Sequence, residues 1–209
     1  NSVVSADTVS WPSGPGLVAE TAVMIDASTG SVLFDKKCHQ KMYPASITKI
    51  MTALLTIENC NLDDTVTFSQ SAIDTLEPEA ANIGAVVGEE MSVKDCLYAL
   101  MLQSANEVAS ALAEHVSGSI EEFAKLMNKR AKQAGANDAH FANACGLFNK
   151  KHYVTAYDMA KIMQAALQYP VFREIINSSS YTLPTDNKRK EPLTISQRHQ
   201  MVQPWNSFH

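Results

Sequence analysis

The segment Pro44-Ala45-Ser46-Ile47-Thr48-Lys49 heads an apolar run in which Ile47, Ile50, Met51, Leu54, Leu55 and Ile57 recur at three- and four-residue spacing. That period commits the run to a helix with one buried face. Pro44 suits the first helical position or the residues just before it. On such a helix Ser46 and Lys49 share a face, about one turn apart. A serine with a lysine amine beside it makes a nucleophile without histidine. The helix N-terminus favours the negative charge that develops there. Taken alone, the pair has a plainer reading, a capping serine followed by a lysine on a solvated face.

A second polar element changes that balance. Ser104-Ala105-Asn106 falls between two helical patterns, one from Ser92 to about Leu102 and one from about Glu107 to Val116. A short junction of this kind can point two polar side chains into a cleft, although Ser and Asn are also common as caps. Ser-x-x-Lys followed by Ser-Asp-Asn and then Lys-Thr-Gly is the signature of penicillin-binding proteins and class A β-lactamases; here the second element reads Ser-Ala-Asn. The chain resembles the D-alanyl-D-alanine carboxypeptidases, low-molecular-mass penicillin-binding proteins of the serine peptidase type. The resemblance runs from about Ala19 onward. It is carried by Ala22–Asp26 with Thr29–Phe34, Tyr43–Leu54, Leu102–Ala109, Phe141–Leu147 and His152–Ala160, in family order.

The third signature element departs from the family. No Lys-Thr-Gly or Lys-Ser-Gly occurs in the sequence. In relatives it follows shortly after a stretch similar to Gln200–Trp205. The sequence therefore reads as a portion of a longer catalytic domain. Its missing sheet strands are expected from an absent C-terminal segment or a second chain. Residues 1–209 alone are expected to be inactive and poorly stable, because a lone two-stranded hairpin is marginal.

The resemblance implies an α+β, β-lactamase/DD-peptidase-like fold, an antiparallel sheet flanked by helices with a helical subdomain. Residues 1–18, with the breaker cluster Trp11-Pro12-Ser13-Gly14-Pro15-Gly16, read as a flexible arm, and the resemblance implies the N-terminal portion of a transpeptidase-like domain over 19–209. It implies Ser46 as nucleophile, Lys49 as its base, Ser104 as proton relay and Asn106 as the group that holds substrate amide and orients Lys49. The substrate would be a peptidoglycan stem peptide ending in D-alanyl-D-alanine, and β-lactams would be covalent inhibitors. No cofactor or metal is implied. A removed signal peptide and an extracytoplasmic location in the bacterial envelope, with membrane association through an absent region, follow from the same likeness. The rival enzyme, a class A-type β-lactamase, needs a Glu-x-x-Leu-Asn loop; Glu174-Ile175-Ile176-Asn177 lacks the leucine. A penicillin-trapping sensor or an inert fragment is the non-enzymatic alternative.

Composition narrows the classes further. A net charge of −5 argues against nucleic-acid binding, which needs a basic footprint. No stretch reaches the ~18 apolar residues of a membrane span. Cys38, Cys60, Cys96 and Cys145 show no metal-ligand spacing and are expected as free thiols, Cys96 on an apolar helix face.

Local signals complete the outline. Ala22–Ala27 and Ser31–Lys36 read as a hairpin around Ser28-Thr29-Gly30, Asp63–Phe68 as a short extended run and 77–88 as loop. Ser119 to Glu122 reads as a capping box for a helix ending near Gly135. Thr155 with Asp158 opens another, ending before Pro170. Pro170–Ile176 reads as a short helix and Tyr181–Leu183 as a strand. His152 and Asp158 are assigned to packing and capping rather than catalysis.

Overall fold

The computed structural model describes Gly14 and residues 16–199. Most of the expected N-terminal arm and the Gln200–Trp205 stretch lie outside the described residues.

The chain opens with β1 (Ala22–Ile25) and β2 (Val32–Lys36), an antiparallel pair with Ala22 opposite Lys36 and Met24 opposite Phe34. Their turn works because Asp26 Oδ1 accepts from the backbone N–H of Ser28 and Thr29, while Gly30 takes φ +76°. A 3₁₀ turn over Ala45–Thr48 leads into α1 (Lys49–Asn59). This corrects the expected helix head: Ser46 sits in the tight 3₁₀ turn, and Lys49 is the first α-helical residue. The chain enters that turn through Ala45 at φ +48°, so regular α geometry begins a turn late.

β3 (Thr65–Thr67) precedes α2 (Gln70–Asp74), capped by Ser69, whose hydroxyl accepts from the Ala72 N–H. β3 pairs antiparallel with β4 (Glu90–Ser92), and α3 (Val93–Tyr98) follows directly from the Ser92 cap. The sequence predicts one regular helix from Ser92 to Leu102. Instead α3 widens into a π-helical turn over Ala99–Gln103 and ends at Ser104 in the left-handed conformation, φ +60° and ψ +33°. Then come α4 (Asn106–Ser117) and α5 (Ile120–Ala134), each closed by a left-handed glycine, Gly118 and Gly135. The Ser119 hydroxyl accepts from the Glu122 N–H as the sequence predicts.

α6 (Ala156–Ala166) carries a full reciprocal capping box between Thr155 and Asp158. α7 (Pro170–Ile176) has proline in its first turn. β5 (Ser180–Leu183) and β6 (Leu193–Ser196) form a third antiparallel pair. Helices and antiparallel pairs together give the α+β class. The elements α2, β4 and β6 have no counterpart in the sequence reading.

α1 runs through the core, in contact with α4, α5 and α6. Leu54, Leu97, Leu112, Phe68, Phe123, Phe141 and Phe172 are fully buried around these helices. Each such side chain contributes about 1.5–3 kcal/mol by leaving water. Tyr98 and Tyr181 stack face to face with ring centroids 3.7 Å apart. Their hydroxyls donate to Glu174 and Asp95, so the α7–β5 segment is fixed against α3. The β1–β2 pair is covered by α6 on one side, where Gln164 donates to the Ala27 carbonyl. Met24, Val32 and Leu33 remain exposed on that hairpin.

Candidate active site

Three of the four residues singled out from sequence meet at one point. Lys49 Nζ lies 3.3 Å from Ser46 Oγ, 2.7 Å from Asn106 Oδ1 and 2.9 Å from the carbonyl oxygen of Cys145. Ser46 is exposed, whereas Lys49 is only 2% exposed. Burial pulls the amine down from the usual lysine range to about 8, against the attraction of Cys145 and Glu107. A neutral amine has two N–H donors and one lone pair. Asn106 and Cys145 accept the two N–H groups, which leaves the lone pair for the Ser46 hydroxyl. The arrangement thus suits a lysine that takes a proton from serine.

Ser104 occupies the left-handed position between the π turn and α4. Its Oγ is buried and has no hydrogen-bond partner among the described residues. A buried hydroxyl left unpaired costs free energy unless a ligand or proton relay uses it. Ala105 caps α4 with extended backbone, and Asn106 is the helix's first residue. The Asn106 N–H donates to the Ala81 carbonyl at 2.8 Å, which ties the loop before β4 to this junction.

Several supporting residues carry no sequence signature of their own. Glu107 is fully buried; its Oε1 accepts from the Ile83 N–H at 2.7 Å, and its Oε2 has no partner among the described residues. Burial raises its carboxyl above the usual range. The 141–147 loop is tied to α1 by one buried bond and braced by another within itself. Thr52 Oγ1 donates to the Ala144 carbonyl at 2.6 Å, and Asn143 Oδ1 accepts from the Gly146 N–H at 2.7 Å. A β-carbon at Gly146 would lie 1.9 Å from the Ala45 carbonyl oxygen. Only glycine permits this approach, and Gly146 also takes φ +91°. The strained Ala45 just before the serine is therefore held in place by the loop that also supplies the Cys145 carbonyl.

His152 lies beneath the same turn. It is buried, packs edge-on against Phe141 and bonds Thr48 Oγ1 through Nε2 at 2.9 Å. Ala142 N–H approaches its Nδ1, which makes Nδ1 the acceptor and puts the proton on Nε2, toward Thr48. Burial, with His140 nearby, holds the imidazole down at about 4. His152 is a neutral prop, and Asp158 is the cap of α6, as the sequence predicts for both. The family block around 141–147 was the one signal that could have drawn attention to Cys145 and Gly146.

The family profile described as D-alanyl-D-alanine carboxypeptidase matches residues 8–203. Among curated relatives, the D-alanyl-D-alanine carboxypeptidase DacF of Bacillus subtilis is 41% identical over 155 residues, covering 72% of this chain and 39% of its own length. The D-alanyl-D-alanine carboxypeptidase of Streptomyces sp. K15 is 32% identical over 185 residues, covering 83% of this chain and 63% of its own. The chain thus spans about two fifths of the first of these relatives and just under two thirds of the second. Among solved structures, an S216A mutant of the Streptomyces K15 DD-transpeptidase superposes with a TM-score of 0.85 at 27% identity, over 92% of this chain and 79% of that one. A D-alanyl-D-alanine carboxypeptidase from Mycobacterium tuberculosis gives 0.82 at 28% identity, over 98% and 74%. The fold is therefore that of the DD-peptidases and penicillin-binding proteins, as the sequence implies.

Proposed function

Because the chain belongs to the D-alanyl-D-alanine carboxypeptidase family, we propose that it carries the nucleophile half of a serine peptidase acting on peptidoglycan stem peptides. The observation that carries this reading is the buried Lys49 amine, held by Asn106 and the Cys145 carbonyl with its third contact on Ser46.

Ser46 Oγ attacks the carbonyl between the two terminal D-alanines as its proton passes to Lys49. The Ser46 backbone N–H contributes one donor to the oxyanion. Ser104 passes the proton on to the leaving D-alanine, and Asn106 holds the substrate amide while orienting Lys49. Water then releases the shortened peptide from Ser46. The second oxyanion donor and the group that binds the substrate's terminal carboxylate come from a Lys-Thr-Gly segment outside this sequence. A β-lactam acylates Ser46 in the same way and leaves slowly. The whole protein is read as an exported cell-envelope enzyme of wall maintenance and cell shape. Among the described residues no helix is long and apolar enough to cross a membrane.

The test uses the full protein. A fluorescent penicillin should label it stoichiometrically and fail to label Ser46→Ala, and a D-alanyl-D-alanine peptide should lose D-alanine. Labelling of Ser46→Ala at another serine would overturn the assignment of the nucleophile. Rapid repeated penicillin hydrolysis would favour a β-lactamase instead.

A further inference from the structure

The helices α1 and α4 run side by side in the same direction. Their N-termini meet through Lys49 and Asn106. Their C-termini meet as well: Cys60, the C-cap of α1, and His115, in the last turn of α4, come together with Asp64. The Cys60 thiol, an Asp64 carboxylate oxygen and a ring nitrogen of His115 all lie within 4.8 Å of one another. With 1.5 Å of rise per residue, this cluster stands roughly 15 Å from the Ser46 end of the helices. It is separate from the site described above.

We infer that Cys60, Asp64 and His115 form a zinc-class metal site that clips the C-terminal ends of α1 and α4 together. The donor set is one sulfur, one imidazole nitrogen and one carboxylate oxygen, which suits borderline-soft Zn²⁺ over the oxygen-seeking Mg²⁺ and Ca²⁺. Zn²⁺ binds as the thiol gives its proton to water. The thiolate and carboxylate then cancel the two positive charges, and a water fills the fourth tetrahedral position. Asp64 is already oriented, since Oδ2 accepts from the Asn61 N–H at 2.8 Å and Oδ1 from the Asn61 side chain at 3.3 Å. Outer contacts of this kind hold a ligating group in position. Cys60 and Asp64 are half-buried while His115 is exposed, so an ion reaches the cluster from solvent. The negative ends of two helix dipoles converge there, which favours a cation. Sequence spacing hides the site because Cys60 and Asp64 sit in one turn and His115 is on another helix.

The test is titration of the full protein with Zn²⁺, and with Co²⁺ as a spectroscopic substitute. One equivalent of Co²⁺ should give a thiolate-to-metal charge-transfer absorption. Saturating Zn²⁺, at a hundred times its dissociation constant, should raise the melting midpoint by roughly 5–10 °C. Cys60→Ser should abolish the absorption, and His115→Ala should weaken binding by at least about tenfold. His115 is exposed, so that variant keeps the fold and reads binding alone. Absence of the absorption, or zinc binding undiminished in both variants, would overturn the site.

Discussion

Lys49 donates to the Asn106 side-chain carbonyl at 2.7 Å, joining the first residues of two helices whose sequence positions are 57 apart. A neutral acceptor there lets burial hold the amine near 8. Asn106→Asp would replace it with a carboxylate in contact with the amine and favour the ammonium form, typically by 1–3 pK units. Acylation by penicillin in the wild type should rise with pH through about 8. In Asn106→Asp that midpoint should move up by at least about one unit, with about tenfold slower acylation at pH 7. A pH–rate profile with an unmoved midpoint would show that Asn106 does not set the charge of Lys49.

Glu107→Gln should act in the opposite direction. The Glu107 carboxylate favours the charged form of Lys49. The amide keeps an acceptor for the Ile83 N–H and removes a buried carboxyl with an unpaired oxygen. The acylation midpoint should shift down, by less than Asn106→Asp moves it up, and thermal stability should hold or rise. A large loss of stability would mean that the charge itself anchors the 81–85 loop.

Gly146→Ala should damage both stability and acylation. The new methyl group would meet the Ala45 carbonyl, and the residue would keep a left-handed backbone. Together these cost at least about 2 kcal/mol, a fall of roughly 4–8 °C in Tm. A variant that melts like wild type would show that the turn around Ser46 relaxes without harm.

His152 predicts an acid-sensitive step in stability. Its folded-state value of about 4 lies below the ordinary histidine value of 6.5, so between them the unfolded chain binds the proton and the native one does not. This contribution is complete above pH 6.5 and is lost as pH falls toward 4. Melting curves across that window should drop for the wild type and flatten for His152→Gln. Equal slopes in the two proteins would remove His152 as the source.

The parts of the fold legible in the sequence are those with short, local causes. Pro170 sets the start of α7, the Thr155–Asp158 pair sets α6, and the Ser46–Lys49 spacing puts two polar groups on one face. The π turn at Ala99–Gln103 was hidden because an apolar stretch satisfies α and π spacing alike. β4 and β6 are too short for alternation to declare itself. Within the site, the acceptor offered by Cys145 is a backbone carbonyl, which no residue type announces. Glu107 stands in the sequence only as the approximate start of a helical pattern, and the loop folded over it is what buries it.

The contact between Ala45 and Gly146 spans about a hundred residues of chain. A ribosome therefore delivers Ser46 and Lys49 long before it delivers the loop that bends the turn beneath them and accepts from the lysine. Until Asn143–Leu147 has emerged and docked, a chain lacks the Cys145 carbonyl that accepts from Lys49 and the close packing of Gly146 on Ala45. On the proposed reading of Ser46 as nucleophile, reactivity toward a β-lactam belongs to the assembled helices and loop and not to the Ser-x-x-Lys segment alone.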